Sequence, residues 1–75
     1  DMRVTIRLFA NFRIGRCKQE SREYDSPVTV RDIVEELGIP APEVGIIFIN
    51  GRNADMDQAL AEGDTLSLFP LVGGG

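Results

Sequence analysis

Seventy-five residues with a formal net charge of -4 make one domain, long enough for a single two-layer core and too short for a deep enclosed active site beside it. One cysteine and no histidine remove the raw material of a disulfide framework, a zinc site or a histidine base, and no apolar run approaches the length of a bilayer span, so a cytoplasmic location is expected. Residues 1–31 carry seven of the eight basic side chains and only four of the twelve acidic ones, which leaves the second half acidic apart from Arg52.

The basic half does not predict a nucleic-acid partner. Its cations alternate along a strand (Arg3, Arg7) or scatter through a loop (Arg13, Arg16, Lys18, Arg22), without aromatic stacking partners spaced between them, and a solvated strand face explains the pattern. The acidic half predicts a docking surface for a basic partner. No membrane partner is expected. Asp1, ahead of Met2, reads as a remnant of cloning or processing and is set aside.

Met2, Val4, Ile6 and Leu8 alternate with Arg3, Thr5 and Arg7, the period-two pattern of a strand with one dry face and one wet one. Phe9 to Arg16 breaks the alternation, and Cys17 to Tyr24 is a polar segment suited to an edge strand. A helix follows: Thr29 can cap with Asp32, Val28 can staple onto Ile33, and Val30, Ile33, Val34 and Leu37 form one apolar stripe before Gly38 and Pro40 stop it.

Ile46 to Ile49 is a short β-branched run closed by Asn50-Gly51, a strong hairpin signal, which predicts a central strand with a partner over Arg52 to Asp55. Met56 to Gly63 reads as a loop or helical turn with Ala59 and Leu60 as core plugs, and Glu62-Gly63-Asp64 as a turn. Thr65 to Phe69 alternates again as a last strand. One amphipathic helix on a mixed sheet of four to five strands predicts an α+β domain of β-grasp type over residues 1–69, followed by a flexible tail over residues 70–75.

That tail, Pro70-Leu71-Val72-Gly73-Gly74-Gly75, carries the chemistry. Extended, six residues reach about 20 Å, enough to thread a narrow channel and present the carboxylate of Gly75 in another protein's active site. Glycine suits such a channel because it lacks a side chain and tolerates unusual backbone angles. A carboxylate is a poor electrophile, so its use requires activation, most simply by ATP to an acyl-adenylate, after which a sulfur donor would leave a terminal thiocarboxylate.

The stretch from Asn50-Gly51 through Gly63-Asp64-Thr65-Leu66-Ser67-Leu68-Phe69-Pro70-Leu71-Val72 to the glycine end resembles the C-terminal half of the MoaD/ThiS family. Arg7-Leu8-Phe9-Ala10 with Phe12-Arg13 is similar to the opening of its molybdopterin branch. The resemblance implies a ubiquitin-like β-grasp fold and adenylation of Gly75 by an enzyme resembling ubiquitin-activating enzymes, followed by conversion to a thiocarboxylate. Gly74 would give channel clearance, and Phe69, Pro70, Leu71, Val72 and Gly73 would contact partners.

The implied partners are the adenylating enzyme, the larger catalytic subunit of molybdopterin synthase and a sulfur-donor enzyme. No cofactor is expected on the chain itself; ATP and magnesium would be used by the activating enzyme. The chain would be a carrier and co-substrate more than an enzyme. The molybdopterin-branch tail usually reads Phe-Pro-Pro-Val; this chain keeps Phe69-Pro70 and Val72, so supply of sulfur to a molybdenum or tungsten cofactor leads, while Leu71 in place of the second proline keeps thiamine thiazole synthesis open beside it.

A ubiquitin-like modifier joined through Gly75 to lysines of other proteins, and an interaction module with a passive tail, are the readings from other classes. Phe69 should point away from the helix, as a lone exposed aromatic or a docking anchor. Cys17, between Arg16 and Lys18, offers a rival sulfur site, although an incidental surface cysteine explains it better. Asp55, Asp57, Glu62 and Asp64 match the spacing of no metal-binding loop, and no metal is expected.

Overall fold

The structure is a computed structural model and describes residues 2–71. Its elements in chain order are β1 (Met2–Leu8), β2 (Gln19–Tyr24), α1 (Val30–Glu36), β3 (Val44–Ile49), β4 (Arg52–Asn53) and β5 (Thr65–Pro70), with 3₁₀ turns at Ala10–Arg13 and Ala41–Glu43. The strands form one sheet in the order β2-β1-β5-β3-β4. β1 and β5 run parallel, with Thr5 opposite Thr65 and Leu8 opposite Leu68; every other pairing is antiparallel. This is the ubiquitin-like β-grasp: a mixed sheet with one helix across one face.

Alternation in β1 and β5 turns Val4, Ile6, Leu8, Leu66 and Leu68 to the helix side, each at most 1% exposed. From the other layer Val30, Ile33 and Val34 of α1 close onto them, and Phe12, Ile39, Ile47 and Leu60 seal the edges. Removing aliphatic side chains of this size from water stabilises the fold by about 1.5–3 kcal/mol each, before the entropy of ordering them is subtracted.

α1 has seven residues, too few to persist alone, so its ends are fastened. At the start, the Thr29 hydroxyl accepts from the Asp32 amide and the Asp32 carboxylate accepts from the Thr29 amide, the reciprocal box that the sequence predicts. At the end, Gly38 takes a φ of 75°, the Gly38 amide donates to the Glu35 carbonyl and the Ile39 amide to the Val34 carbonyl. This is a Schellman closure, and it drives Ile39 into the core beside Val34.

Several elements differ from the sequence expectation. The middle of the sheet is β5, not the strand containing Ile46 to Ile49, because β5 pairs with β1 on one side and β3 on the other. β4 pairs only Arg52 and Asn53, against Ile49 and Phe48, so the edge of β3 away from β5 lacks a strand neighbour beyond them; the Ala54 amide still donates to the Ile47 carbonyl at 3.0 Å. Ala59 is exposed, and only Leu60 fills the core. The backbone bridge from Ala59 to Thr29 fixes the loop so that its next residue turns inward.

Candidate docking face and tail root

The helix covers one face of the sheet, and the face opposite it collects three of the four phenylalanines, the fourth, Phe12, being in the core. Period-two geometry sends Phe9, Phe48 and Phe69 there from β1 and its extension, β3 and β5. The Phe9 and Phe69 rings stack, with centroids 4.2 Å apart and planes 11° apart, and Phe48 meets Phe69 edge-on at 5.7 Å. Phe69 is therefore half-buried in a three-ring cluster and is not the lone exposed aromatic that the sequence allowed. The exposed apolar surface lies beside it, on Ile46 (46% exposed) and Leu71 (61% exposed).

Phe9 reaches this position through a backbone device absent from the sequence reading. Its amide donates to the Leu68 carbonyl at 3.3 Å, which extends the β1–β5 pairing by one residue. Ala10 then adopts a φ of 54°, a left-handed conformation that costs a non-glycine residue about 1–2 kcal/mol. The reversal leaves Phe9 on the open face and returns Phe12 to the core three residues later.

The same turn surrounds Phe9 with cations. The guanidinium carbons of Arg7 and Arg13 stand 5.5 and 5.7 Å from its ring centroid, within cation–π range. Arg13 also donates through Nε to the Leu8 carbonyl at 3.0 Å. Arginines that looked scattered and without aromatic neighbours in sequence thus acquire one in the fold. The signal was available only in part, since Phe9 lies two residues after Arg7 but just past the end of β1, where its bond to Leu68 continues the alternation.

β5 delivers the chain to the edge of this patch. It holds Pro70, which the sequence assigned to the tail: Pro70 is buried, paired with Val44 of β3, and the Leu71 amide donates to the Glu43 carbonyl at 2.9 Å. The attachment continues past Phe69 because Pro70 points to the helix side and closes the core. Gly45 permits it. A Cβ there would lie 2.9 Å from the Pro70 carbonyl oxygen and 3.0 Å from Leu71 Cα and N, where β3 bulges between Val44 and Ile46.

Of the residues proposed for partner contact, Phe69, Pro70 and Leu71 are thus brought together, with roles divided among ring stacking, core closure and exposure. Val72 and Gly73, and the carboxylate-bearing Gly75 with Gly74, lie outside the described residues.

Three carboxylates of the second half hold the loop before β5. Asp64 accepts from the Asn50 side chain at 2.8 Å and the Ala61 amide at 2.8 Å, Glu62 accepts from the Arg3 amide at 2.9 Å, and Asp57 pairs with Arg31. They fasten the loop from Met56 to Asp64, a role that sequence showed only as a turn signal at Glu62-Gly63-Asp64. At the sheet's other edge, Glu36 lies below the usual carboxylate range because the Tyr24 hydroxyl donates to it and Arg22 pairs with it. Burial, then the bond to Glu36, pushes the Tyr24 phenol up to about 12. Cys17 is exposed. Among the described residues no helix is long and apolar enough to cross a membrane.

Comparison with known proteins agrees with this architecture. A family profile described as Mut7-C ubiquitin matches residues 3–73. No curated protein matches the chain in sequence. Among solved structures, a Haloferax volcanii protein is similar at 32% identity and a TM-score of 0.77, with 99% of this chain and 87% of that one covered. A Pyrococcus furiosus protein described as a candidate molybdopterin converting factor subunit 1 is similar at 28% identity and a TM-score of 0.74, covering 96% of this chain and 100% of that one. Small archaeal modifier protein 1 of Haloferax volcanii gives 27% identity and 0.73 over 96% of this chain and 100% of that one. A complex of subunits 1 and 2 of the molybdopterin-converting factor of Helicobacter pylori matches at 25% and 0.66, covering 99% and 100%.

Proposed function

Because this chain belongs to the Mut7-C ubiquitin family, we propose that it is a ubiquitin-like carrier that presents the carboxylate of Gly75 to partner enzymes as an activated, sulfur-bearing end. The observation that carries the reading is the tail root. β5, the middle strand, is held to β3 through Pro70 and Leu71, so Leu71, the root of the tail, stands at a fixed point beside an exposed apolar patch. A carrier needs that pairing: a face for the partner to hold, and an extension of fixed origin to insert into it.

This reading requires Gly75 to be the mature C-terminus, which the mass measurement below checks. A partner adenylating enzyme, using ATP and magnesium, forms the acyl-adenylate; a sulfur donor displaces AMP and leaves the thiocarboxylate; Gly74 clears the channel. The receiving partner is a larger catalytic subunit of molybdopterin synthase type, in molybdenum or tungsten cofactor synthesis. The likeness to the Helicobacter pylori complex supports a two-subunit arrangement. Thiamine thiazole synthesis would draw on the same thiocarboxylate. A second reading, protein modification through an isopeptide bond from Gly75, is favoured by the likeness to small archaeal modifier protein 1.

Intact mass spectrometry of the protein from its native host, and after incubation with ATP, magnesium, sulfide and host extract, tests the proposal. The carrier reading expects a chain ending at Gly75 that gains the mass of an oxygen-to-sulfur exchange, and no gain in a variant lacking Gly75. Lysine-linked conjugates dependent on Gly75 would move the assignment to modification. A chain that continues past Gly75 in the mature protein, or one that gains no sulfur in an extract active on another carrier, overturns the proposal.

A further inference from the structure

We propose that the open face is a charge-coded docking site for an acidic, apolar segment of a partner protein, with Arg7, Arg13 and Lys18 receiving its carboxylates and Phe69, Ile46 and Leu71 its apolar side chains. The proposal deepens the carrier reading and rests on it, since a partner that engages the tail must sit beside its root at Leu71.

Three observations carry it. First, Arg7, Arg13 and Lys18 line one hollow with Leu8, Phe9 and Gln19, a wall without a carboxylate. Among the described residues none of these three cations forms an ion pair, whereas Arg3, Arg22 and Arg31 each have an acidic partner. Like charges gathered without a counter-charge raise the free energy of the isolated protein, and an incoming anion relieves that repulsion.

Second, the hollow has a volume of about 50 Å³, room for a carboxylate-sized group but too little for a nucleobase. One face of the Phe9 ring is already taken by Phe69, and both nearby guanidinium groups sit around the same ring, which removes the free stacking platform a single-stranded nucleic acid would use. With a chain net charge of -4, a local cation cluster selects a partner surface and does not create general affinity for polyanions.

Third, the cations join the exposed apolar surface through the stacked rings: the Arg7 and Arg13 guanidinium groups lie against Phe9, Phe9 lies against Phe69, and Ile46 is the register neighbour of Phe69. A segment alternating acidic and apolar side chains matches that layout, apolar contacts giving area and the charges giving register and speed of encounter. The expected complement is therefore the reverse of the basic partner that the acidic second half predicts.

The test is an NMR titration of the full chain with a synthetic peptide alternating Asp and Glu with Leu and Phe, alongside a copy with lysine at every acidic position, and oligouridylate. Shifts confined to Arg7, Phe9, Arg13, Lys18, Ile46, Phe69 and Leu71 with the acidic peptide are expected, weakening with salt, and affinity should fall at least about tenfold in the exposed double variant Arg7→Glu, Lys18→Glu. Neither position bears a core contact, and the variant's amide spectrum verifies that it folds; Arg13→Gln provides a second variant. Equal binding of the lysine peptide, indifference to both variants, or tighter binding of oligouridylate at the same residues overturns the inference. Sulfur loading is read separately by mass. Loading without acidic-peptide docking removes this inference alone, and docking without loading removes the carrier reading alone.

Discussion

Tyr24 and Glu36 show how a surface position acquires an altered titration from its neighbours. The Tyr24 hydroxyl donates to Glu36 at 2.7 Å, and burial followed by that bond moves the phenol from its ordinary 10.0 up to about 12. Because the folded value is raised, the stabilisation from this group is full below pH 10 and is lost as pH rises between about 10 and about 12. Glu36 has the opposite sign: its folded value is lowered, so its contribution is present above the ordinary carboxylate range and disappears as pH falls through the lowered value. The chain has one tyrosine and no tryptophan, so ultraviolet absorbance follows this phenol alone. Its midpoint is expected near 12 in the native protein, near 10 in denaturant, and between the two in Glu36→Gln, where burial still acts. A native midpoint equal to that in denaturant would remove the Tyr24–Glu36 bond from the account.

At the scale of an element, α1 depends on its caps more than on its length. Seven residues give it barely two turns, and the box at Thr29 and Asp32 satisfies amides that would otherwise lack partners. Thr29→Ala should lower stability by about 1 kcal/mol, read as an earlier urea midpoint at unchanged slope, while Thr29→Ser should stay within a few tenths of the parent. The helix and both flanking signals were legible because capping, stripe and glycine stop are local patterns. β4 was legible only as the far side of a turn: Asn50-Gly51 announces the hairpin, but nothing in Arg52 to Asp55 announces that pairing stops at Asn53. Ala59 was misread for the same reason, since its small apolar side chain carries no directional information and the bridge to Thr29 decides which way it faces.

Across the whole molecule, the tail root is bonded to the body through the Leu71 amide and the Glu43 carbonyl, beside one close approach. Gly45 lies against the Pro70–Leu71 backbone, where a Cβ would come within 3.0 Å of atoms that cannot swing aside. Gly45→Ala is therefore expected to cost about 1–3 kcal/mol, in the manner of an overpacked core, and to pry the end of β5 from β3. Hydrogen exchange should accelerate at the Leu71 amide, whose partner is the Glu43 carbonyl, before it changes at Leu66 or Leu68 in the middle of the strand. Uniform acceleration along β5 would mean global destabilisation in place of a local detachment. Under the carrier reading this variant should load sulfur more slowly than the parent, because the tail would lose its fixed origin.

By itself the sequence determined what periodicity and local chemistry can write: a wet-and-dry first strand, a capped helix, a hairpin turn, an alternating last strand and a glycine-rich extension, which together specify a β-grasp domain. It also marked Phe69 to Gly73 as an expected partner-contact stretch, of which Phe69, Pro70 and Leu71 are among the described residues. It could not assign their separate roles, because those depend on strands distant in the chain. Only the tertiary structure placed β5 in the middle of the sheet, stacked Phe9 on Phe69, closed the core with Pro70 and gathered Arg7, Arg13 and Lys18 around one hollow. The physical reason is that pairing register and side-chain contact between remote segments are set by packing free energy summed over the whole core, and a one-dimensional pattern reports each segment's preference without its partner.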